Sequence, residues 1–96
     1  MTHDEAIEAI IRLAERKGML YHTCLDSRKC KGAGFPDIVI ASPEGLIFVE
    51  MKLNSFSKVS SAQVCWKYTL KASGQNADIY TTADIGMVLD MIEASL

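Results

Sequence analysis

Apolar residues near the start of the chain recur at the spacing of an α-helix. They form one stripe of the helical wheel, made up of Ala6, Ile7, Ile10, Ile11, Leu13 and Ala14. Thr2 with Glu5 three residues later has the pattern of a capping box, and Gly18 is typical of a helix end. The sequence therefore predicts a first helix from Thr2 to Gly18 with one buried face.

The next apolar segments are short, and turn residues separate them. Residues 19–25 have the composition of a strand, and a polar loop rich in Lys and Gly follows over residues 26–34. Residues 35–41 and 46–53 read as two apolar strands, and the turn at 42–45 between them contains Pro and Gly. This arrangement predicts an antiparallel hairpin.

The second half of the chain alternates between helical and strand patterns. A helix is predicted over residues 60–73 with Gly74 as its stop, followed by a short strand over 77–81. A last helix is predicted over 82–92, capped by Thr82. The order α-β-β-β-α-β-α predicts an α/β fold of the mixed α+β kind, in which helices flank a mixed central sheet.

Length and composition are those of one folded unit. We expect residues 1–96 to form a single domain, and 49% hydrophobic residues are enough to build its core. The apolar segments are too short to span a bilayer and the N-terminus is charged, so we expect a cytoplasmic protein without a membrane partner. Three cysteines without a CxxC pair favour reduced thiols over disulfides, and His22, Cys24 and Cys30 do not have the spacing of a zinc site.

Charge is distributed unevenly along the chain. The net charge of −2 argues against a dedicated nucleic-acid-binding domain, but residues 27–71 hold seven cations and three acids, a net charge of +4. Residues 72–96 sum to −4. The middle of the chain either presents a basic face to phosphates or is simply well solvated. The candidate DNA-binding residues are Arg28, Lys29, Lys31, Lys58 and Lys67.

Two charged residues continue an apolar row on the predicted third strand. Strand alternation places Glu50 and Lys52 on the same face as Phe48. Charges at the rim of a core are costly unless they are paired or bind a metal ion. With the turn at 42–45, Asp37 lies opposite Glu50 on the neighbouring strand, so these two carboxylates are expected to share one cation.

The chemistry of this pair follows from its oxygen ligands. Asp37, Glu50 and the backbone carbonyl of Met51 would give a partial oxygen shell that suits Mg²⁺ or Mn²⁺ and leaves room for water and a phosphate oxygen. Lys52, on the same face, is placed to orient the water or to stabilise developing charge. The residues therefore predict metal-dependent hydrolysis of phosphodiester bonds without an organic cofactor.

Several of these motifs together resemble a known nuclease family. Residues 34–37 (Gly-Phe-Pro-Asp) and 48–52 (Phe-Val-Glu-Met-Lys) resemble the Pro-Asp and (Asp/Glu)-x-Lys signature of the restriction-endonuclease-like superfamily. Together with residues 60–63 (Ser-Ser-Ala-Gln) and Trp66, they are similar to the virus-type replication–repair nuclease (VRR-NUC) family over roughly residues 5–82. Trp66 is expected to pack in the core rather than to stack on bases.

The resemblance implies roles for individual residues. Asp37 and Glu50 match the family's metal ligands, Lys52 its catalytic lysine and Gln63 an accessory active-site residue. Gln63 has an equally good second interpretation, because Ser60 and Gln63 form a capping-box pattern.

A family Glu on the first helix falls on Glu5, with Glu8 as the second choice. Glu5 points almost opposite to the apolar stripe, whereas Glu8 and Glu15 flank that stripe more closely. Which of the three joins the site is left open.

The resemblance also implies a biological setting. It indicates a restriction-endonuclease-like core and a DNA endonuclease of replication, recombination or repair, in a bacterial or phage-infected cell. Branched DNA is the implied substrate, since single-domain members resemble phage Holliday-junction resolvases. A homodimer is expected because one site cuts one strand. The alternatives are a nuclease that acts on plain duplex or ends, and a non-catalytic nucleic-acid- or protein-binding module on a degenerate nuclease fold.

Overall fold

The computed structural model of the chain describes residues 1–26 and 29–95. Its elements follow the predicted order α-β-β-β-α-β-α, with one 3₁₀ turn added before the last helix. In chain order they are α1 (His3–Arg16), β1 (Leu20–Thr23), β2 (Ile38–Ser42), β3 (Gly45–Lys52), α2 (Ser61–Ala72), β4 (Asn76–Thr81), the 3₁₀ turn (Thr82–Asp84) and α3 (Ile85–Glu93).

The four strands form one mixed sheet in the order β1-β2-β3-β4. β2 runs antiparallel to both of its neighbours, β1 and β3, and β4 runs parallel to β3. The predicted mixed sheet flanked by helices is therefore confirmed. The hairpin register pairs Ser42 with Gly45 and Ile38 with Val49, which puts Asp37 opposite Glu50 as the turn predicted.

The main core lies between the sheet and the pair α1 and α3. The apolar stripe of α1 supplies Ile10, and α3 supplies Val88 and Ile92, all of them inaccessible to solvent. The sheet contributes every second residue of its inner strands to this core, for example Ile38 and Val49. Burial of each such side chain stabilises the fold by roughly 1.5–3 kcal/mol.

A smaller aromatic cluster joins α2 to the sheet. The Trp66 ring meets Phe35 edge-to-face with centroids 4.9 Å apart, and Phe35 meets Phe48 in the same way at 6.1 Å. The Trp66 indole N–H donates to the carbonyl of Ala33 at 3.1 Å. Trp66 thus packs on Phe35 but is only half-buried and lies outside the main core, and the cluster anchors α2 beside the segment that carries Asp37.

Helix ends agree with the predicted caps in two cases and differ in the third. Thr2 and Ser60 both cap their helices through complete capping boxes. The predicted cap at Thr82 is wrong, because the Asp84 carboxylate accepts from the Thr81 N–H at 2.9 Å and so tightens residues 82–84 into the 3₁₀ turn. The Thr82 hydroxyl instead donates to the Leu53 carbonyl at 2.8 Å.

Two strands are shorter than predicted. β2 begins at Ile38 rather than at residue 35, because Pro36 has no N–H to give to a ladder. β1 covers Leu20–Thr23, and beyond it one further hydrogen bond joins the Cys24 N–H to the Asp37 carbonyl at 2.8 Å. This bond fixes the backbone of Asp37 at the start of β2.

The expectation of reduced thiols is wrong for two of the three cysteines. Cys24 and Cys30 form a disulfide with their Cα atoms 6.6 Å apart, while Cys65 is free and exposed. A separation of six residues lets the chain turn back on itself, which a search for CxxC spacing does not detect. Within the described part of the chain, no helix is long and apolar enough to cross a membrane.

Candidate active site

Two carboxylates meet at the ends of adjacent strands. Asp37 immediately precedes β2 and Glu50 lies near the end of β3, and each is only 6% exposed. The two side chains lie close enough for the Asp37 carboxylate to raise the pKa of Glu50. They share the sheet face on which α2 packs, because Ile38 and Val49, their sequence neighbours, point into the α1 and α3 core.

Asp37 is held in place from two sides. Its Oδ2 atom accepts from the Met51 N–H at 2.9 Å and lies 3.0 Å from Nε2 of His3. In an antiparallel strand the N–H and C=O of one residue point to the same side. The Met51 carbonyl therefore leaves β3 on the side of Asp37, where the sequence analysis expected a third oxygen ligand.

Glu50 has an unusual protonation equilibrium. Burial and, next, the nearby Asp37 carboxylate together raise the pKa of Glu50 to about 8, although the Lys52 ammonium acts in the opposite direction. At neutral pH and in the absence of a metal ion, Glu50 therefore mostly keeps its proton. A cation placed between the two carboxyl groups would take over the role of that proton.

Lys52 lies beside this pair. Its Nζ atom is 3.8 Å from Oε2 of Glu50, and its side chain is mostly buried. The structure thus brings together the three residues Asp37, Glu50 and Lys52 that the motif singled out. Their chemical roles stay a prediction.

The donor set fits a hard divalent ion that retains part of its water shell. Among residues 1–26 and 29–95, no group of three or more His, Cys, Asp and Glu side chains could hold a metal ion. The available oxygen ligands are the carboxylates of Asp37 and Glu50 and the carbonyl of Met51. Mg²⁺ characteristically binds through one or two carboxylates and completes its shell with water and substrate phosphate.

The acids of the first helix do not reach this pair. The Glu5 carboxylate accepts from the Thr2 N–H at 2.7 Å, and these Thr2 hydrogen bonds lower its pKa. Glu8 lies 3.4 Å from Arg12, and Glu15 accepts from the Tyr21 hydroxyl. The structure therefore does not support Glu5 as a member of the site.

His3, on the first helix, contacts Asp37 and was not predicted from the sequence. It is the first residue of α1, and the packing of α1 on the sheet brings it to Asp37, which immediately precedes β2. A histidine beside a helix N-cap is no signal by itself. Only the packing of α1 shows what His3 contacts.

The Gln63 side chain takes part in the capping box at the start of α2. Its side-chain oxygen accepts from the Ser60 N–H at 2.9 Å, which is the capping interpretation that the sequence left open. The first turn of α2 nevertheless lies close to the site. A Cβ atom on Gly34 would come within 2.5 Å of the carbonyl carbon of Ala62 and 2.7 Å of the Gln63 nitrogen.

The candidate DNA-binding lysines differ in how free their charges are. Lys29, Lys31 and Lys58 are exposed. Lys67 is 2.9 Å from a carboxylate oxygen of Asp78, so part of its charge is already compensated. Arg28 lies outside the described residues.

Among known proteins, this chain matches solved structures. No protein-family model matches the sequence, and no curated protein does either. Three chains of solved structures match. One, described as a VRR_NUC domain protein, superposes with a TM-score of 0.75 at 20% sequence identity, covering 100% of this chain and 88% of its own. The likeness confirms, at the level of the fold, the resemblance that the motifs indicated: the chain has the fold of a VRR_NUC domain protein.

Proposed function

We propose that this chain is a divalent-metal-dependent DNA endonuclease. The observation that carries the proposal is the pair of buried carboxylates at Asp37 and Glu50, on neighbouring strand ends, with Lys52 beside Glu50. Two acids are rarely buried together unless they share a proton or a cation. The fold likeness to a VRR_NUC domain protein supports the same conclusion.

Each residue has a distinct part in this proposal. Asp37, Glu50 and the Met51 carbonyl would hold Mg²⁺ or Mn²⁺, which when bound supplies Lewis-acid activation of the phosphate and of the attacking water. Lys52 stabilises negative charge on the phosphate during attack. His3 and the Met51 N–H keep the Asp37 carboxylate in one orientation, which lowers the cost of assembling the site.

The proposed substrate is DNA, and branched DNA such as a four-way junction in particular. The exposed lysines Lys29, Lys31 and Lys58 support contact with phosphates. A chain of this size offers one cutting site for one strand, so a symmetric pair is proposed for cutting two strands.

A cleavage assay tests the proposal. Labelled four-way junction, flap and linear duplex are each incubated with Mg²⁺ or Mn²⁺ and either wild-type protein or Asp37→Ala. We expect wild type to cut and Asp37→Ala to lose roughly 100-fold or more in rate, because the variant lacks one of two carboxylate ligands.

Asp90→Ala is the matched control, since Asp90 is an exposed carboxylate on α3. It should cut like wild type. Absence of metal-dependent cleavage of every DNA by wild-type protein would contradict the proposal and favour a non-catalytic binding module.

A further inference from the structure

A surface loop connects two parts of the candidate site. Residues 53–60 run from the end of β3, directly after Lys52, to the first turn of α2. That turn packs on Gly34, three residues before Asp37. Both ends of this loop, which we call the 53–60 loop, therefore adjoin residues of the site.

The 53–60 loop presents an aromatic ring to solvent. Phe56 is 93% exposed, and Leu53 and Val59 in the same loop are exposed as well. A single exposed apolar residue is ordinary on a protein surface. Three of them in an eight-residue loop beside a polar site form a patch that the core does not explain.

The backbone of the loop holds Phe56 in a defined turn. The Phe56 N–H donates to the side-chain oxygen of Asn54 at 2.9 Å, and the Ser57 N–H donates to the Asn54 carbonyl at 3.1 Å. The Asn54 N–H in turn donates to the Ser57 hydroxyl at 3.2 Å. The turn thus holds the Phe56 backbone in place, so a contact through the ring costs less ordering entropy.

The 53–60 loop itself carries positive charge. It contains no Asp or Glu, and Lys58, two residues after Phe56, is exposed. Of the other lysines in residues 51–77, Lys67 and Lys71 pair with Asp78, and Lys52 lies 3.8 Å from Glu50. Aromatic rings among cations are the usual means by which proteins bind unpaired nucleotides without reading their sequence.

We propose that Phe56 stacks on an exposed nucleobase of the DNA substrate and so favours DNA with unpaired or terminal bases near the cleaved bond. The inference rests on the proposed nuclease function and names a specificity-determining residue for it. In continuous duplex both faces of every base are covered by neighbouring bases, so a ring gains a partner only at a flap, bulge, junction or end.

The position of Phe56 limits which base it can reach. It follows Lys52 by four residues, so their Cα atoms are at most about 14 Å apart. The two side chains add their own reach to this distance, so Phe56 contacts a base in the same stretch of DNA as the phosphate beside Lys52.

A second copy of the chain is the competing occupant of this patch. A Phe side chain buries about 150–250 Å², whereas a stable interface buries about 800 Å² on each partner. Three side chains in one loop fall short of that area, but one ring is enough to cover one base. A nucleobase is therefore the better match.

The test compares Phe56→Ala and Phe56→Trp with Met87→Ala, which removes an exposed side chain from α3. We expect Phe56→Ala to lower kcat/KM on a flapped DNA by roughly 5- to 150-fold, the cost of one lost stacking contact. Cleavage of continuous duplex should change less than two-fold, and both Phe56→Trp and Met87→Ala should act like wild type.

A second readout does not need cleavage. In EDTA, 2-aminopurine placed at the unpaired position should lose fluorescence with wild type and Phe56→Trp, and keep it with Phe56→Ala. If wild type cuts no DNA, the proposed function fails while this fluorescence still reports on stacking.

Three results would overturn the inference. They are an equal loss of activity on flapped and continuous DNA, 2-aminopurine quenching that Phe56→Ala leaves intact, and a change in the sedimentation mass of Phe56→Ala. The last would assign Phe56 to an interface between two copies.

Discussion

Glu50 is a carboxylate in surroundings that differ strongly from water. It is buried beside a second carboxylate, and its pKa is raised to about 8 from an ordinary value of 4.5. This arrangement favours binding of a divalent cation, because the cation offsets the electrostatic repulsion between the two carboxylates. At the residue scale, burying the Glu50 carboxylate costs free energy, and this cost indicates that the residue has a functional role.

The pKa of Glu50 predicts how stability depends on pH in the absence of metal. Between about pH 4.5 and 8 the folded state keeps a proton on Glu50 that the unfolded chain has released. The free energy of unfolding should therefore fall by a few kcal/mol as the pH rises through this range. Urea denaturation in EDTA at pH 5, 7 and 8.5 measures the effect.

Glu50→Gln should flatten this pH dependence, because the amide does not titrate. Glu44→Gln, in the exposed hairpin turn, is the control and should follow wild type. Added Mn²⁺ should stabilise wild type more at pH 8.5 than at pH 5. An equally steep fall in Glu50→Gln would show that another group is responsible.

At the element scale, the position of α2 decides the shape of the site. Its first turn rests on Gly34, and its Trp66 packs on Phe35. Both contacts fall on the segment that leads into Asp37. The glycine of the Gly-Phe-Pro-Asp motif is therefore needed for packing as well as for its backbone conformation, since its φ is +84°.

Gly34→Ala should destabilise the fold by at least about 2 kcal/mol, because a Cβ atom would overlap the backbone of α2 and the left-handed conformation disfavours alanine. Gly74→Ala is the matched control. Gly74 has a similar φ of +88° with nothing within 4 Å of its Cβ position, so only the conformational cost of about 1 kcal/mol applies. Equal losses in urea denaturation would argue against the close approach of α2.

At the scale of the whole molecule, one chain supplies one candidate site on a small body of 10.6 kDa. Because one site cuts one strand, we expect two copies of the chain to be needed to cut both strands of a symmetric DNA substrate. In sedimentation, a four-way junction in EDTA should bind two chains, and wild type with metal should cut both opposed strands. A complex with a single chain that still cuts both strands would contradict the proposed homodimer.

Local signals in the sequence were enough to predict much of the site. The 42–45 turn and strand alternation placed Asp37 opposite Glu50 and Lys52 on the same face as Glu50, because hairpin register depends only on turn length and a period of two. The capping boxes at Thr2 and Ser60 were equally local, since each depends on residues three apart.

Only the tertiary structure decided which distant residues meet. His3, not Glu5, contacts Asp37, because that depends on where α1 crosses the sheet rather than on the helical period. The Cys24–Cys30 pair and the approach of α2 to Gly34 likewise depend on how segments fold against each other. The sequence by itself determined the order of the helices and strands, the register of the hairpin and the pairing of Asp37 with Glu50, whose relation is short-range. The partners that enclose the pair come from long-range packing, which no local pattern encodes.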